Sequence, residues 1–229
     1  MDKKKKKLAI FDIDGTIFRK NLHFELLREL VYRKIFPEKV KDDLTAVYGK
    51  WLDNEGTYEN YRDKLVGLYE ENIKNCQQKD VIKASQSVAN FNAKRVYIFS
   101  RGLIEKFREK YILLIISGSP IEIVSEYAKI FEFDAFFGSV YEIDKNGKYT
   151  GKTIFEPPKD KGAVVKQFVS ENNISLRGSF GIGDTESDAS FLELVENPIA
   201  FNPNLNLKKI AEKKDWKIVV EKKDVIYHL

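Results

Sequence analysis

Two aspartates two residues apart, Asp12 and Asp14 in Phe11-Asp12-Ile13-Asp14-Gly15-Thr16, directly follow the apolar segment Leu8 to Phe11. A carboxylate can attack phosphorus, and a second one beside it can protonate the departing oxygen and then deprotonate water. Two negative charges held together repel, so a hard divalent cation that prefers oxygen ligands, such as Mg2+, suits the same place. Taken alone, the motif also fits a plain turn, because Asp and Gly commonly follow strands.

Three later segments add groups of matching chemistry. In Ile115-Ile116-Ser117-Gly118-Ser119-Pro120, Ser117 offers a hydroxyl, and Gly118 lets its backbone N–H come close to a ligand. Pro120 suits the first turn of a helix whose N-terminus favours anions. The segment reads as a phosphate seat or, by itself, as a helix start capped by Ser119. Pro157 to Gly162 precedes an amphipathic stretch, with Asp160 placed to cap it and Lys161 in its first turn. A cation is disfavoured there, so Lys161 points to an anion in front of it, with Lys159 as a competing candidate. In Gly181-Ile182-Gly183-Asp184-Thr185-Glu186-Ser187-Asp188, Asp184 is placed to ligate a metal. Asp188 is placed to act through water or to orient Lys161, and Glu186 is expected to face solvent. The segment lacks the twelve-residue pattern of a calcium loop.

These groups need a scaffold that ends several strands at one place. Leu8 to Phe11, Ile112 to Ile116 and Ser179 to Ile182 read as buried parallel strands, with further strands at Ile199 to Phe201 and Lys217 to Val220. Amphipathic stretches such as Pro120 to Phe131 and Ala163 to Asn172 alternate with them, which predicts an α/β sheet flanked by helices. Open sheets of this kind bind ligands beyond the carboxyl ends of their strands. Between about Arg19 and Phe99 strand signals fade. Phe24, Leu27, Leu30 and Val31 recur at helical spacing, as do Leu65, Leu68 and Tyr69. The expected organisation is a core of residues 1–18 and 100–229 with a helical cap at 19–99. The aromatics Trp51, Tyr58, Tyr61 and Tyr69 fit either the cap's core or a pocket facing the sheet. Asn146-Gly147 within Tyr141 to Ile154 predicts a type I′ hairpin and a small antiparallel flap.

In type, order and spacing the four segments resemble the haloacid dehalogenase superfamily, in its phosphoserine phosphatase-like branch with a helical cap between the first and second motifs. The resemblance implies a Rossmann-like parallel sheet core, a helical cap domain and a small hairpin flap. It implies Asp12 as nucleophile, Asp14 as general acid and base, and Ser117, Gly118 and Lys161 at the phosphate. It places Mg2+ among Asp12, Asp14 and Asp184 together with the Ile13 carbonyl, with Asp188 and Thr16 in support. An aspartate two residues after the nucleophile favours phosphoryl transfer over dehalogenation. Phosphoserine phosphatases commonly carry a glutamate soon after the first motif. This chain has Ile17-Phe18-Arg19-Lys20, with Glu25 further on, so the resemblance assigns no particular ester.

With 229 residues and 43% apolar side chains the chain can bury a substantial core. Its formal charge of +4 is concentrated in Lys3 to Lys7, leaving a near-neutral body that argues against nucleic acid as partner. A lysine run of this kind is most simply a solvated tail. A single cysteine, Cys76, excludes an internal disulfide and fits a reducing compartment. No apolar run is long enough for a signal peptide or a membrane span, so the expected location is the cytoplasm. The expected activity is Mg2+-dependent hydrolysis of a small phosphorylated metabolite through an aspartyl phosphate, by a monomer or homodimer without membrane contact. A phosphotransferase or phosphomutase, or a non-catalytic phosphate-binding protein, are the alternatives.

Overall fold

The computed structural model describes residues 7–229, and Lys3 to Lys6 of the terminal lysine run lie outside the described residues. The central feature is an eight-stranded sheet. Its strands are β1 (Lys7–Phe11), β2 (Tyr111–Pro120), β3 (Ala135–Ile143), β4 (Tyr149–Phe155), β5 (Phe180–Gly183), β6 (Asn197–Phe201), β7 (Lys217–Lys222) and β8 (Val225–His228). They are ordered β4-β3-β2-β1-β5-β6-β7-β8. All pairings from β3 to β7 across the sheet are parallel, and the two edge pairings are antiparallel.

Alternation along β1 explains how both faces are covered. Leu8 and Ile10 point to one side and join a cluster with Val164, Val165, Phe191, Leu192, Leu207 and Ala211. These belong to α7 (Lys161–Glu171), α8 (Ala189–Leu192) and α9 (Leu205–Lys213). Ala9 and Phe11 point to the other side, where Ile104, Phe107, Val124 and Tyr127 meet them. Those residues come from α5 (Ile98–Phe107) and α6 (Ile121–Phe131). Strands buried on both faces read as unbroken apolar runs, which is why β1 and β2 were visible in the sequence.

Four helices, α1 (Leu22–Tyr32), α2 (Glu38–Leu52), α3 (Tyr58–Ile73) and α4 (Gln78–Asn92), form the segment between β1 and α5. Asn21 starts α1 by accepting from the Phe24 N–H at 2.9 Å, and Thr57 and Asn60 form a capping box at the start of α3. The apolar stripe includes Leu26, Leu27, Leu30, Leu65, Leu68 and Tyr69 and packs on the β1 to β3 side of the sheet. The chain leaves the core at Phe18 and returns at Val96, and the two residues form an antiparallel bridge.

Two local expectations are corrected. The hairpin between β3 and β4 is present, but its turn is not type I′: Gly147 alone in the tip has positive φ (73°), and its N–H donates to the Asp144 carbonyl at 3.0 Å. This is a type I turn followed by a left-handed glycine. The Asp144 carboxylate selects it by accepting from the N–H groups of Asn146 (2.8 Å) and Lys148 (3.0 Å). Ser119 does not cap α6 either. β2 runs on to Pro120, which occupies the cap position without a side-chain bond.

The exit and return of the helical segment are tied to β7, the strand next to the sheet's edge. Glu221 of β7 is buried, and it accepts from the N–H groups of Ile98 (3.1 Å) and Phe99 (2.9 Å) and from the Arg19 guanidinium (2.5 Å). Its carboxylate thus serves the exposed N–H groups at the start of α5 and anchors the stem. Replacing Glu221 by Ala should cost about 2–4 kcal/mol, mostly from the stranded N–H groups, because Arg19 remains partly in water. Glu221→Gln should cost less. Urea unfolding measures both, and a loss from Glu221→Ala below about 0.5 kcal/mol would contradict this account.

Candidate active site

The strand order changes direction on either side of β1, so the connections from β1 and to β5 run to opposite sides and leave a crevice at their carboxyl ends. Register does the rest. Phe11 is opposite Ile115 in β2 and Ile182 in β5, which brings Asp12, Ser117 and Asp184 to the same edge. The Asp12 N–H donates to the Ile182 carbonyl at 3.0 Å, fixing the backbone where the strand ends.

Lys161 is 2% exposed and lies between two carboxylates. Its ammonium group donates to Asp12 Oδ1 at 2.7 Å and to Asp188 Oδ1 at 2.5 Å. The other Asp188 oxygen accepts from the N–H groups of Asp184 (2.9 Å) and Thr185 (3.0 Å). Asp160 caps α7 by accepting from Ala163 at 2.9 Å, which sets Lys161 as the helix's first residue, directed at the sheet edge. Burial alone would lower the lysine's pKa, but Asp12 and Asp188 together outweigh it and hold the group protonated.

Asp14 is held differently. Its Oδ1 accepts from the Leu22 N–H at 2.6 Å and its Oδ2 from the Ser119 hydroxyl at 2.7 Å. Burial raises its pKa above the usual carboxylate range despite these bonds, so it keeps a proton more readily than a free aspartate. Gly15 follows with φ of 81°, and a Cβ there would lie 2.0 Å from Asp184 Oδ2, so only glycine lets this loop pass so close to Asp184.

Carboxylate oxygens of Asp12, Asp184 and Asp188 lie within 4.8 Å of one another. Burial pushes Asp12 up to about 8 against the opposing effect of Lys161, and burial with the charges of Asp12 and Asp188 raises Asp184 strongly. Among the described residues the cluster is short of positive charge. A group of hard oxygen donors in that condition suits a divalent cation.

The structure brings Asp12, Asp14, Lys161 and Asp184 to one cavity with Gly118 on its wall, and places Asp188 behind them against Lys161. Other expectations change. Asp188, rather than Asp14, completes the close trio of oxygens, because Asp14 is drawn toward Leu22 and Ser119. The Ile13 carbonyl already accepts from the N–H groups of Thr16 (3.1 Å), Ile17 (2.9 Å) and Phe18 (2.9 Å), which leaves it no lone pair for a metal. Ser117 is fully buried, with its hydroxyl accepting from the Ser119 N–H at 3.1 Å and 3.5 Å from Asp14. Thr16 is buried, its carbonyl accepting from Ser100 at 2.6 Å. Lys159 is exposed and paired with Glu156, and Glu186 accepts from the Asn204 amide instead of facing free solvent.

A cavity of about 390 Å³ opens over these groups. The helical segment supplies its far wall with Asn21, His23, Tyr58, Arg62, Leu65 and Glu70, and Tyr141 of β3 closes one side. Of these only Tyr58 had been weighed as a pocket residue from the sequence, Leu65 having been read as part of a helix's apolar stripe. Asn21 carried a signal as an asparagine before a helical pattern, whereas His23, Arg62 and Glu70 had none. Trp51, Tyr58 and Tyr61 line a neighbouring cavity of about 560 Å³, while Tyr69 is core.

Residues 9–193 match the family model for haloacid dehalogenase-like hydrolases. The histidinol-phosphatase of Neisseria meningitidis serogroup C is 22% identical, with 93% of this chain aligned to 98% of the relative. The phosphoserine phosphatase of Methanocaldococcus jannaschii is 25% identical, over 97% of this chain and 95% of the relative. Among solved structures, a protein of unknown function from Bordetella pertussis Tohama I superposes with a TM-score of 0.72 at 18% identity, covering 93% of this chain and 98% of that one. A phospho-aspartyl intermediate analogue of phosphoserine phosphatase superposes with a TM-score of 0.64 at 23% identity, over 96% of each chain.

The crowded carboxylates fix the sign of a stability effect. A carboxylate whose pKa is raised by folding contributes stability that is fully present below its unfolded value. That stability is lost as pH rises through the folded one, from 3.8 to about 8 for Asp12. Without divalent cations the Tm should therefore fall between about pH 5 and pH 8, and Asp184→Asn should flatten the fall. Saturating Mg2+, used as the probe cation, should raise the Tm more at pH 8 than at pH 5. A cation effect equal at both pH values, by scanning calorimetry, would refute the charge-deficit reading.

Proposed function

Because this chain belongs to the family of haloacid dehalogenase-like hydrolases, we propose that it is a Mg2+-dependent phosphatase that hydrolyses a small phosphate monoester through an aspartyl phosphate on Asp12. The observation that carries the reading is the pair of differently held carboxylates on one cavity: Asp12 accepts from the buried Lys161 ammonium at 2.7 Å, and Asp14 accepts instead from the Leu22 N–H and the Ser119 hydroxyl. A carboxylate held by an ammonium group and one held by an N–H and a hydroxyl can divide the roles of nucleophile and acid, once a bound cation offsets the burial and charge crowding that raise the pKa of Asp12.

In the first step an Asp12 oxygen forms a bond to phosphorus as the ester P–O bond breaks. Asp14 gives its proton to the departing oxygen. In the second step a water oxygen attacks the same phosphorus, Asp14 takes a proton from it, and the bond to Asp12 breaks to release phosphate. Lys161 neutralises one charge on the phosphoryl group and holds Asp12 in line. Gly118 and Ser119 line the same cavity. Ser119 and Leu22 keep Asp14 aimed at the alcohol side while it changes protonation state.

Asp12 and Asp184 would hold Mg2+, together with the Asp14 carbonyl, on which no backbone hydrogen bond ends among the described residues. When bound, the cation neutralises charge on the phosphoryl oxygens. Asp188, occupied by Lys161 and two N–H groups, is better suited to positioning than to direct ligation. The helical segment at 19–99 acts as a cap that excludes water during the first step and admits it for the second.

With p-nitrophenyl phosphate and a panel of phosphorylated metabolites, the wild-type protein should release free phosphate only with Mg2+. Asp12→Asn should lower kcat by at least about 10³-fold, and Asp14→Asn by about 10²–10⁴-fold. Turnover by Asp12→Asn equal to wild type would remove Asp12 as nucleophile. Transfer of phosphate to added alcohols without free phosphate would favour a phosphotransferase.

A further inference from the structure

His23 lies one residue after the N–H that holds Asp14 and lines the same cavity, yet the proposed phosphoryl chemistry does not use it. Asn21 caps α1, so the helix starts at Leu22, and His23, its second residue, lines the cavity from the helical segment. The ring is 3% exposed and packs edge-on against Tyr69, with centroids 4.7 Å apart and planes at 81°. Its Nε2 is buried without a hydrogen-bond partner among the described residues. Buried polar atoms are nearly always paired, and one left unpaired on a residue that lines a cavity calls for an explanation. An apolar ring would pack on Tyr69 equally well without stranding a nitrogen.

We propose that His23 is a specificity-determining residue whose imidazole hydrogen-bonds a hydroxyl or ammonium substituent on the alcohol part of the phosphate ester, selecting polar over plain alkyl leaving groups. This rests on the phosphatase reading and names the chemistry of the ester's other half. Burial lowers the imidazole pKa to about 3, so at neutral pH the ring carries one donor and one acceptor and no charge. It therefore adds selectivity without adding a cation beside Lys161. Because the site's polar group is already desolvated, an ester lacking the matching substituent leaves it unpaired, and discrimination of this kind is steep.

The test compares propyl, 3-hydroxypropyl and 3-aminopropyl phosphate, with two- and four-carbon homologues, as substrates of wild type, His23→Leu, His23→Asn and His23→Gln. In wild type kcat/KM for one substituted series should exceed that for the alkyl series by at least about tenfold, and the better series tells hydroxyl from ammonium. His23→Leu should bring that ratio within about threefold of unity, and Asn or Gln should restore part of it. A loss of packing alone would lower all three rates together and leave the ratio in place, and that result would overturn the proposal. So would a wild type without preference among the esters. The chain has two histidines, so ¹⁵N-imidazole NMR of wild type supplies a readout that no variant's folding can spoil. The His23 nitrogens should shift with 3-hydroxypropyl- or 3-aminopropylphosphonate and not with propylphosphonate, and equal shifts with all three count against the assignment. Failure of every ester to release phosphate would instead remove the phosphatase reading, and this inference with it.

Discussion

The site depends on one buried ammonium group. Lys161 lies between Asp12 and Asp188, taken out of water, and a charge in that position is tolerable only with partners in place. The pair of contacts joins the end of β1, the start of α7 and the loop after β5, segments far apart in the chain. Removing either carboxylate would leave Lys161 half-compensated, and removing Lys161 would leave carboxylates facing each other with nothing between. Even with Lys161 the balance is negative: Asp12, Asp184 and Asp188 face one ammonium, and a bound phosphate would add further negative charge. The same geometry that orients Asp12, the proposed nucleophile, therefore leaves a charge deficit that a cation would offset. Binding of cation and phosphate would be coupled through this shared deficit.

The fold delivers these groups because three neighbouring strands stop in register. Phe11, Ile115 and Ile182 are level with one another, so the polar residues just beyond them converge without any special loop. The helical segment enters after the first of these strands and is pinned where it leaves and returns, at Phe18 and Val96 and through Arg19 and Glu221. Rigid stems below a body that contributes its own cavity wall are what a moving cover needs.

How much of this could be read from the sequence follows from the range of the interactions involved. Asp12, Asp14, Lys161 and Asp184 were legible because each sits where an apolar strand or a helix start meets a loop, and such boundaries are written in adjacent residues. Asp188 was legible as the partner of Lys161 for the same reason. The hairpin was foreseen from Asn146-Gly147, but its turn type was decided by Asp144, two residues earlier, whose carboxylate competes for the local N–H groups. The Ile13 carbonyl was misassigned because its three donors come from a tight turn that spacing alone does not reveal. Ser119 reads as a helix cap in sequence, yet the strand continues past it and leaves its hydroxyl free to hold Asp14. His23, Arg62 and Glu70 had no local signature at all. Their meeting across the cavity exists only once α1, α3 and β3 have packed.

That division has a chemical logic. The phosphoryl half of the cavity is built from strand ends and a helix start, where backbone geometry fixes side chains and the reacting group is the same in every ester. The alcohol half is built from side chains on helices whose packing sets their mutual distances, and the group to be recognised there varies from one ester to another. Asp14 stands at the join. Its two hydrogen bonds come one from each half, Ser119 from β2 and Leu22 from α1, so the proposed acid is held by both walls of the cavity. A shift of α1 would move Leu22 and His23 together. An ester that seats poorly against His23 would thus also disturb the N–H that steadies Asp14, and poor recognition would appear in the chemical step as well as in binding.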